Sequence, residues 1–394
     1  MAAPAPPPTS PAAPSPHPQA VAWLELFYDL VFVAAIVTFS DAVSFDPDPH
    51  VIAIVFLAFA AVWWIWLATT FFANRFRADD GVHRVLVLVQ MMLLTMTALA
   101  VGDGVEFHEA FVSVVYGLLI ADVAIMYARM ARVRDELGAF AAQRRNEYAL
   151  ATLPMLAAAL VGSPGRYVLW AITIAIIVLP GLGYRFGRRS GEVGFDERHL
   201  VERLGLLTII VCGESFVKVS LLAADGSLEE LDLIVLSALF ILVFSMWWSY
   251  FDDVPAAGLP ASPGRMRGWL VGHLLLQTCL VGIAVGFAKL LPLALGDAVD
   301  ADRVLLGAGP LVGVYLSLAL VGACTRRVPV RPLLLLRLGS AGIVGLVGVA
   351  IWRVDWIDVE SAAFLLAFIT LVHGGLSARL RRRTRIGEAP HATA

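Results

Sequence analysis

The chain has 394 residues, and its formal net charge is −3. Hydrophobic residues make up 59% of the sequence and charged residues only 15%, whereas soluble domains are about 45–50% apolar and about 25% charged. This composition excludes an ordinary soluble protein and indicates a polytopic membrane protein. No basic patch with interleaved aromatic residues is present, so the sequence predicts no nucleic-acid partner.

Twelve apolar segments follow a short N-terminal tail. Residues 1–22 are rich in proline and alanine and lack the basic and apolar regions of a signal peptide, so we predict a disordered cytoplasmic tail. About 20 apolar residues cross a bilayer as a helix, which is the default structure for a spanning segment. The predicted spanning helices are 24–44, 51–73, 84–102, 107–128, 147–163, 166–184, 203–223, 229–250, 267–291, 303–323, 332–352 and 358–378. Only Gly-Ser-Pro-Gly separates the fifth from the sixth, so ten or eleven spans are the alternatives.

Basic residues alternate between the two ends of these helices. Most of the 29 Lys and Arg residues lie in every second loop and in the C-terminal tail, whereas the remaining loops are acidic. Cytoplasmic loops of membrane proteins carry an excess of Lys and Arg. We therefore predict a multi-pass protein with both termini in the cytoplasm.

The sequence also shows signs of an internal duplication. The tryptophan pair at 63–64 recurs at 247–248, and the Ala-Val-Gly that ends at Gly102 recurs at Gly286, both after 184 residues. This shared order predicts two parallel six-helix halves, with chance similarity between apolar segments as the alternative. The chain is therefore predicted to consist of an N-terminal tail (1–22), a first six-helix half (23–190), a second six-helix half (191–385) and a C-terminal tail (386–394).

The seventh predicted helix carries charged residues near its centre. Glu214 lies near mid-depth, Lys218 follows one helical turn later, and Gly213 leaves room beside the acid. A charge at the centre of a spanning helix costs about 2.5–3.5 kcal/mol on insertion scales, so such groups face a bundle interior or a wet cavity. The segment predicts a polar site or an ion path. The alternative is a self-neutralised pair of Glu214 and Lys218 that fixes helix packing.

The first predicted helix carries two acids, Glu25 and Asp29, on one face near its cytoplasmic end. Like charges at this spacing repel unless a cation lies between them. Arg203 and Arg198 lie on the same side of the membrane and are the candidate partners. The alternative is a pair of interfacial acids that the helix dipole favours.

Other polar side chains fall within predicted spans. They are Gln90, Asp122, His273, Gln277 and His373. Each is placed where it could line an interior cavity, but for the two histidines a packing hydrogen bond is the favoured interpretation. Arg337 and Lys289 are expected to snorkel to the membrane surface. The tryptophans fit an interfacial belt or a binding box.

Motifs of established enzyme classes are absent from the sequence, which has no H-E-x-x-H, P-loop, nucleophile elbow or dinucleotide fingerprint. The three cysteines lie in apolar runs and lack the spacing of a metal site or a disulfide. We therefore expect no enzymatic activity, no metal and no cofactor, and no transport driven by ATP.

Four segments stand out in order: LELFYDLVFVAAI from Leu24, WWIW followed by NRFRADDGVHR, HLVERLGLLTIIVCGES from His199, and WWSYFDD. Together they resemble the bacterial low-temperature-requirement A (LtrA) family from about Trp23 to about His373. The resemblance implies a polytopic protein of the bacterial inner membrane that is linked to growth in the cold, without an agreed biochemical activity. Leu204 stands where the family more often has an aromatic residue. The signature positions implied are Glu25, Asp29, Asn74, Asp80, Arg84, His199, Glu202, Arg203, Gly205, Thr208, Gly213, Glu214, Trp248, Asp252 and His273.

The first of these segments is also similar to the first-helix pattern of a lysosomal and bacterial potassium-channel family, which carries Phe-Ser-Asp there. The matching residues are Phe27, Tyr28 and Asp29, with tyrosine in place of serine. The literal Phe-Ser-Asp of this chain, residues 39–41, lies at the other end of the helix and is interpreted as a chance match. The similarity implies a channel for monovalent cations with six-helix repeats.

These patterns favour a secondary transporter or permeation protein for a small solute or ion. Glu25, Asp29 and Glu214 are expected to be proton- or cation-linked groups that converge on one cavity. The other residues expected at this site are His199, Glu202, Arg203 and His273, with supporting roles for Asn74, Asp80, Arg84, Asp122, Gly213, Lys218, Trp248 and Asp252. The alternatives are a monovalent cation channel and a non-transporting membrane protein, either a stress-response scaffold or an enzyme that acts on lipid head groups.

The expected partners are the lipid bilayer, a proton or monovalent cation, and a small-molecule substrate that the sequence does not identify. Glycine pairs such as Gly282 and Gly286 predict tight packing between helices. A contact between subunits of a homo-oligomer is the alternative role for these glycines.

Overall fold

The computed structural model describes residues 23–45, 49–76, 78–102, 108–132, 136–183, 196–224, 233–260, 262–294, 301–325, 330–353 and 359–387. All regular structure within these ranges is helical, and they contain no strand. The helices are α1 (Trp23–Phe45), α2 (Pro49–Phe76), α3 (Gly81–Gly102), α4 (Glu109–Met130), α5 (Glu136–Ala158), α6 (Gly165–Gly183), α7 (Glu197–Ala224), α8 (Leu233–Phe251), α9 (Val254–Ala257), α10 (Pro263–Ala294), α11 (Ala301–Cys324), α12 (Val330–Arg353) and α13 (Val359–Gly387). α9 is a single turn of 4 residues, so the described part of the chain holds twelve long helices. The predicted all-α fold is confirmed.

Each predicted spanning segment coincides with one long helix. α5 and α6 are separate, so the fifth and sixth segments are two helices and not one. The largest boundary error is at α5, which begins at Glu136 and not at residue 147. Its first turns are rich in Ala, Leu, Gln and Arg, which favour a helix but are too polar on average for a hydropathy search to include. α13 likewise continues past residue 378 through an arginine-rich segment to Gly387.

The lengths and surfaces of the helices fit a membrane. Among the described residues, eight helices are long and apolar enough to cross a bilayer, namely α1 to α4 and α10 to α13. α6 and α8 contain shorter apolar stretches, Gly165–Val178 and Leu236–Phe251. Large apolar side chains lie on the outside, with Leu160 89% and Leu346 74% exposed. A surface of this kind is stable against lipid, and the chain is a multi-pass membrane protein.

Polar side chains concentrate inside the bundle. α1 contacts α2, α3, α7 and α10 and so lies near the centre of the helix packing. Asp29, His199, His273 and Gln277 are completely buried there. Placing these polar groups in contact with lipid would cost free energy, whereas inside the bundle they contact one another.

The helix neighbours follow the order that a duplication would produce. α1 packs along α3 as α7 packs along α10, and the pair α4–α5 has its counterpart in α11–α12. These pairings agree with two six-helix halves. The duplication itself and the boundaries at 190 and 385 remain predictions, and residues 184–195 lie outside the described residues.

α10 and α11 pack closely at glycines. A Cβ atom added to Gly272 would lie 2.7 Å from Val321 Cγ2 and 3.3 Å from the Val321 backbone nitrogen. An added Cβ at Gly282 would lie 2.9 Å from Pro310 Cγ in the same way. Only glycine permits this approach, and the predicted tight packing at Gly282 is therefore confirmed.

Candidate functional site between α1 and α7

A buried ion pair joins the N-terminal parts of α1 and α7. Asp29 Oδ2 lies 2.5 Å from Arg203 Nη1, and both side chains are at most 1% exposed. The Trp66 indole donates a hydrogen bond to Asp29 Oδ1 at 2.7 Å, and its ring centre lies 5.4 Å from the Arg203 guanidinium. Both carboxylate oxygens are therefore hydrogen-bonded, as a stable buried charge requires.

The second acid of α1 contacts a histidine of α7. Glu25 Oε2 lies 3.1 Å from His199 Nε2, and His199 Nδ1 lies 3.2 Å from Asn74 Nδ2. The Asn74 amide also donates to the Asp196 carbonyl at 2.8 Å, and its oxygen accepts from the Asp196 N–H at 3.0 Å. These backbone contacts fix which end of the amide faces the ring. Nδ1 of His199 must then accept, so the imidazole is neutral and its Nε2–H donates to Glu25.

Asp196 explains why α7 begins where it does. Its Oδ1 accepts hydrogen bonds from the backbone N–H groups of Arg198 at 2.9 Å and His199 at 3.1 Å. This is the pattern of a helix N-cap, which satisfies donors that have no partner within the helix. The contact with Asn74 also ties the cap to the end of α2. The cluster formed by Glu25, Asp29, Asn74, His199 and Arg203 thus joins α1, α2 and α7.

A second set of polar side chains runs from α2 to α4. The Thr69 hydroxyl donates to Gln90 Oε1 at 2.9 Å, and Gln90 Nε2 donates to Met126 Sδ at 2.9 Å. Asp122 is 4% exposed and its side chain interacts with Gln90. Both Gln90 and Asp122 therefore face the bundle interior, beside the cluster at Asp29 but not within it.

Glu214 lies farther along the same two helices. Its Oε1 accepts a hydrogen bond from Ser40 Oγ at 2.8 Å, and the side chain is buried. Its Oε2 is also buried, and no residue that the structure describes donates a hydrogen bond to it. Lys218 does not pair with Glu214 but with Asp41 of α1. The alternative of a self-neutralised pair within α7 is therefore wrong, because the long Lys218 side chain reaches the neighbouring helix.

Residues 39–41 are the feature that sequence reasoning missed. Ser40 and Asp41, dismissed as part of a chance match, contact Glu214 and Lys218. The contacts between α1 and α7 all join residues 174 to 178 positions apart in the sequence, so the two helices run parallel. These contacts form two levels along the helices, one at Asp29 and Arg203 and one at Ser40 and Glu214. Since Asp29 and Ser40 are separated by three helical turns, the two levels lie about 16 Å apart.

A cavity opens beside the level of Glu214. It holds about 380 Å³ between α1, α2, α10 and α11. Ser40 lines it, together with apolar side chains such as Phe39, Phe59 and Val281. The hydrogen bond from Ser40 therefore links the buried carboxylate of Glu214 to a residue that lines this cavity. A Cβ added at Gly213 would meet nothing within 4 Å, so the backbone beside the acid is also uncrowded.

His273 belongs to a separate group between α7, α8 and α10. Its Nδ1 donates to the Trp269 carbonyl at 2.8 Å, and its Nε2 accepts from the Tyr250 hydroxyl at 3.1 Å. Both ring nitrogens are satisfied, which agrees with a packing hydrogen bond. Gln277, one turn later, accepts from the Trp63 indole at 2.6 Å and donates to Thr208 Oγ1 at 3.1 Å. Trp63 is thus an interior residue and not part of an interfacial belt.

Several expected site residues lie elsewhere. Glu202 is exposed on another face of α7, where it lines a surface groove with Phe251. Asp252 accepts from the Trp248 indole at 2.9 Å and pairs with Arg381 at 2.7 Å. The structure therefore does not bring Glu202, Trp248 or Asp252 into the cluster at Asp29.

Asp80 lies in the surface loop before α3, and Arg84 lies in the first turn of α3. Asp80 accepts from the His83 N–H at 3.0 Å and pairs with Arg129 at 2.7 Å, which together lower the pKa of its carboxyl. The side-chain hydrogen bond from Arg84 lowers the pKa of Asp79 in the same way. These contacts hold the α2–α3 connection against α4, away from the buried acids.

Arg337 does not snorkel to the membrane surface. It is 2% exposed, pairs with Asp253 before α9, and donates to the Leu318 carbonyl at 2.7 Å. The expectation failed because Asp253, in the turn between α8 and α9, lies within reach of Arg337, which hydropathy does not show. The side chain of Lys289 lies outside the described residues. His373 is buried, and its Nδ1 is hydrogen-bonded to Ser340 Oγ at 2.8 Å.

The site contains groups that can hold a proton or a monovalent cation but not a preformed metal centre. Among the described residues, no group of three or more His, Cys, Asp or Glu side chains is arranged to hold a metal ion. The pair of Asp29 and Arg203 is mutually neutralised and closed to solvent. Glu214 is the acid that combines burial, an oxygen without a donor in the described structure, and a neighbouring cavity.

Comparison with known proteins gives the family. Residues 20–372 match the family described as bacterial low temperature requirement A protein (LtrA). An uncharacterized protein of Rhizobium meliloti (strain 1021) is 27% identical over 247 residues, an alignment that covers 58% of this chain and 58% of that protein. The family match spans all the helices of the candidate site, and the chain belongs to the LtrA family of bacterial membrane proteins.

Proposed function

We propose that this chain is a secondary transporter or permeation protein in which Glu214 binds a proton or a monovalent cation. The observation that carries the proposal is the environment of Glu214. One of its oxygens accepts a hydrogen bond from Ser40, and the other has no donor among the described residues. A buried carboxylate in this state gains from binding either a proton or a small cation.

The cavity beside Ser40 supplies a route to this carboxylate. Its lining is apolar apart from Ser40, Thr278 and Cys279. An ion that enters it would reach Glu214 through Ser40, which donates a hydrogen bond to that carboxylate. Asp29 and Arg203 lie about 16 Å away along the same helices and would close the path toward the other end. Movement past them requires α1 and α7 to separate at the ion pair.

The orientation and location follow as part of the same proposal. Arginines crowd one end of the bundle, and the positive-inside rule assigns that end to the cytoplasm. We propose the bacterial inner membrane as the location, with both termini on the cytoplasmic side. The cavity at Ser40 would then open toward the opposite side, and the protein would have no catalytic role.

Flux into proteoliposomes tests the assignment of Glu214. The measurement follows a trapped pH dye, or a potassium-sensitive dye, after a membrane potential is imposed. We expect wild-type flux above that of protein-free liposomes and a loss of this flux in Glu214→Gln. Glu202→Gln is the matched control, because it removes an exposed acid from the same helix. Equal, gradient-independent flux in wild type and Glu214→Gln would remove Glu214 from the mechanism.

A second candidate, a non-transporting membrane protein of the stress response, is favoured by the ion pair itself. Asp29 and Arg203 are buried and paired, and both oxygens of Asp29 are hydrogen-bonded, which is also what a purely structural contact requires. Wild-type proteoliposomes that pass neither protons nor potassium under any gradient would favour this candidate. A cation channel is distinguished by planar-bilayer recording, in which unitary currents appear.

A further inference from the structure

The cavity beside Ser40 has the size of a ligand pocket. Its volume of about 380 Å³ lies within the usual range for such pockets, about 300–1,000 Å³. Most of the lining is aliphatic or aromatic, and three phenylalanines, Phe39, Phe56 and Phe59, belong to it. A cavity of this size and lining can hold a small organic molecule with an apolar body.

The two hydroxyl groups in the lining have a defined polarity toward the cavity. Ser40 Oγ donates to Glu214 Oε1 at 2.8 Å, and Thr278 Oγ1 donates to the Leu274 carbonyl at 2.8 Å. A hydroxyl has one proton to donate and two lone pairs that accept. Since both protons are used within the protein, each hydroxyl can only accept a hydrogen bond from a ligand. A polar group that binds at either hydroxyl must therefore be a donor.

The charge close to Ser40 is negative. Glu214 Oε2 is buried and has no donor among the described residues, and Lys218 pairs with Asp41 instead of Glu214. The described residues that line the cavity include no Lys, Arg or His. A nitrogen that donates to Ser40 Oγ at the ordinary distance of about 2.9 Å would lie within about 6 Å of Glu214 Oε1. At that distance a carboxylate favours a positive charge on the nitrogen.

These features suit an organic cation better than an inorganic one. An inorganic cation gives up its water only where several oxygen ligands replace it, and the side chains of the lining supply two hydroxyl oxygens. A protonated amine needs only acceptors for its N–H groups. Its apolar body also gains free energy by contact with the walls, and phenylalanine rings attract a cation at their faces.

We propose that this cavity binds a protonated organic amine. The ammonium group donates a hydrogen bond to Ser40 and is held by the charge of Glu214, while the apolar body contacts Phe39, Phe59 and Val281. The inference rests on the role of Glu214 in the proposed function and names organic ammonium ions as the substrate class of that site.

Isothermal titration calorimetry of the full chain in detergent at neutral pH tests the proposal. The probes are adamantylammonium, the neutral adamantanol, and adamantyltrimethylammonium, which is charged but has no N–H group. We expect adamantylammonium to bind about tenfold more tightly than either of the others, and Glu214→Gln and Ser40→Ala each to weaken its binding about tenfold. Glu202→Gln and Thr38→Ala are the matched controls on the same helices, since neither residue lines this cavity, and both should bind as wild type does.

Two results would overturn the proposal. They are equal binding of adamantylammonium and either comparison compound by the wild-type protein, and binding of adamantylammonium that Glu214→Gln leaves unchanged. The first comparison uses only the wild-type protein, so misfolding of a variant does not protect the proposal.

The binding assay requires no flux, so failure of this inference can be distinguished from failure of the proposed function. Flux of protons or potassium that depends on Glu214, without selective amine binding, would refute the amine site alone. Selective amine binding that depends on Glu214, in a protein that passes no ion or amine, would support the site and refute transport.

Discussion

The ion pair between Asp29 and Arg203 allows a sharp test of the structure. Asp29→Asn keeps the size of the side chain and an oxygen for the Trp66 indole. Its amide nitrogen, however, would face Arg203 Nη1 across the 2.5 Å that now separates donor and acceptor. Two donors then oppose each other, and a buried guanidinium loses its counter-ion.

The size of this effect follows from the burial of the pair. Removing one partner of a buried ion pair destabilises a protein by about 3–5 kcal/mol, because the remaining charge stays desolvated. Arg203 is 1% exposed and cannot turn to solvent without moving α7. We therefore expect Asp29→Asn to lower the free energy of unfolding by about 3–5 kcal/mol. The double variant Asp29→Asn with Arg203→Gln removes both charges and should recover at least half of the loss.

Unfolding of the purified protein in mixed micelles, followed by tryptophan fluorescence, measures these differences. Trp66 contacts both residues and so reports directly on the pair. Asp252→Asn provides a control, since Asp252 pairs at the surface, where ion pairs contribute about 0–1 kcal/mol. A loss of less than about 1 kcal/mol in Asp29→Asn, or a double variant no more stable than Asp29→Asn alone, would refute the reasoning.

Two further predictions concern packing and pH. Gly272→Ala should lower the free energy of unfolding by about 1–3 kcal/mol, because its methyl group would collide with Val321. Gly339→Ala on α12 is the control, since its methyl group would meet nothing within 4 Å and should be neutral or mildly stabilising. Equal unfolding curves for the two variants would contradict the close packing of α10 against α11. The His83 N–H and Arg129 lower the pKa of Asp80 below its ordinary value of 3.8, so its stabilising effect is present above about pH 4 and is lost as pH falls through the lowered pKa. Wild type should therefore lose stability in acid relative to Asp80→Asn, and unfolding curves that shift in parallel from pH 6 to pH 3 would rule out this contribution.

The twelve long helices could be predicted because apolar length is a strong signal in a membrane protein. A segment of about 20 apolar residues has few alternatives to a spanning helix. The boundary at α5 could not be predicted in the same way, since the segment from Glu136 onward is helical without being apolar. Hydropathy locates the part of a helix that lies in lipid, and intrinsic helix propensity decides how far the helix continues into water.

The candidate site was only partly predictable, and helical geometry explains which part. Arg203 and Glu202 are adjacent and point about 100° apart, so both could not face α1. His199 and Arg203, one turn apart, share a face and were correctly expected to meet the acids of α1. Eleven positions are three full turns, so Glu214 shares that face as well.

The same spacing occurs on α1. Ser40 lies eleven residues after Asp29, just as Glu214 lies eleven residues after Arg203. Two parallel helices with matching polar spacing predict two levels of contact, which the structure contains. His273 could not be assigned to either level from spacing alone, because its contacts to Tyr250 and Trp269 depend on how α8 and α10 pack.

The two levels also bear on how an ion could pass under the proposed function. A path that follows α1 and α7 from the level of Ser40 toward the other end of the bundle meets Asp29 and Arg203, both of which are buried. If separating this pair costs about 3 kcal/mol, the separated state is populated roughly 150-fold less than the closed one. A continuously open pore is incompatible with that ratio, whereas a carrier needs only brief separation in each cycle. The neutral His199 held by Asn74 and Glu25 lies at the same level, so the contacts that would break in such a cycle are those between α7 and both α1 and α2.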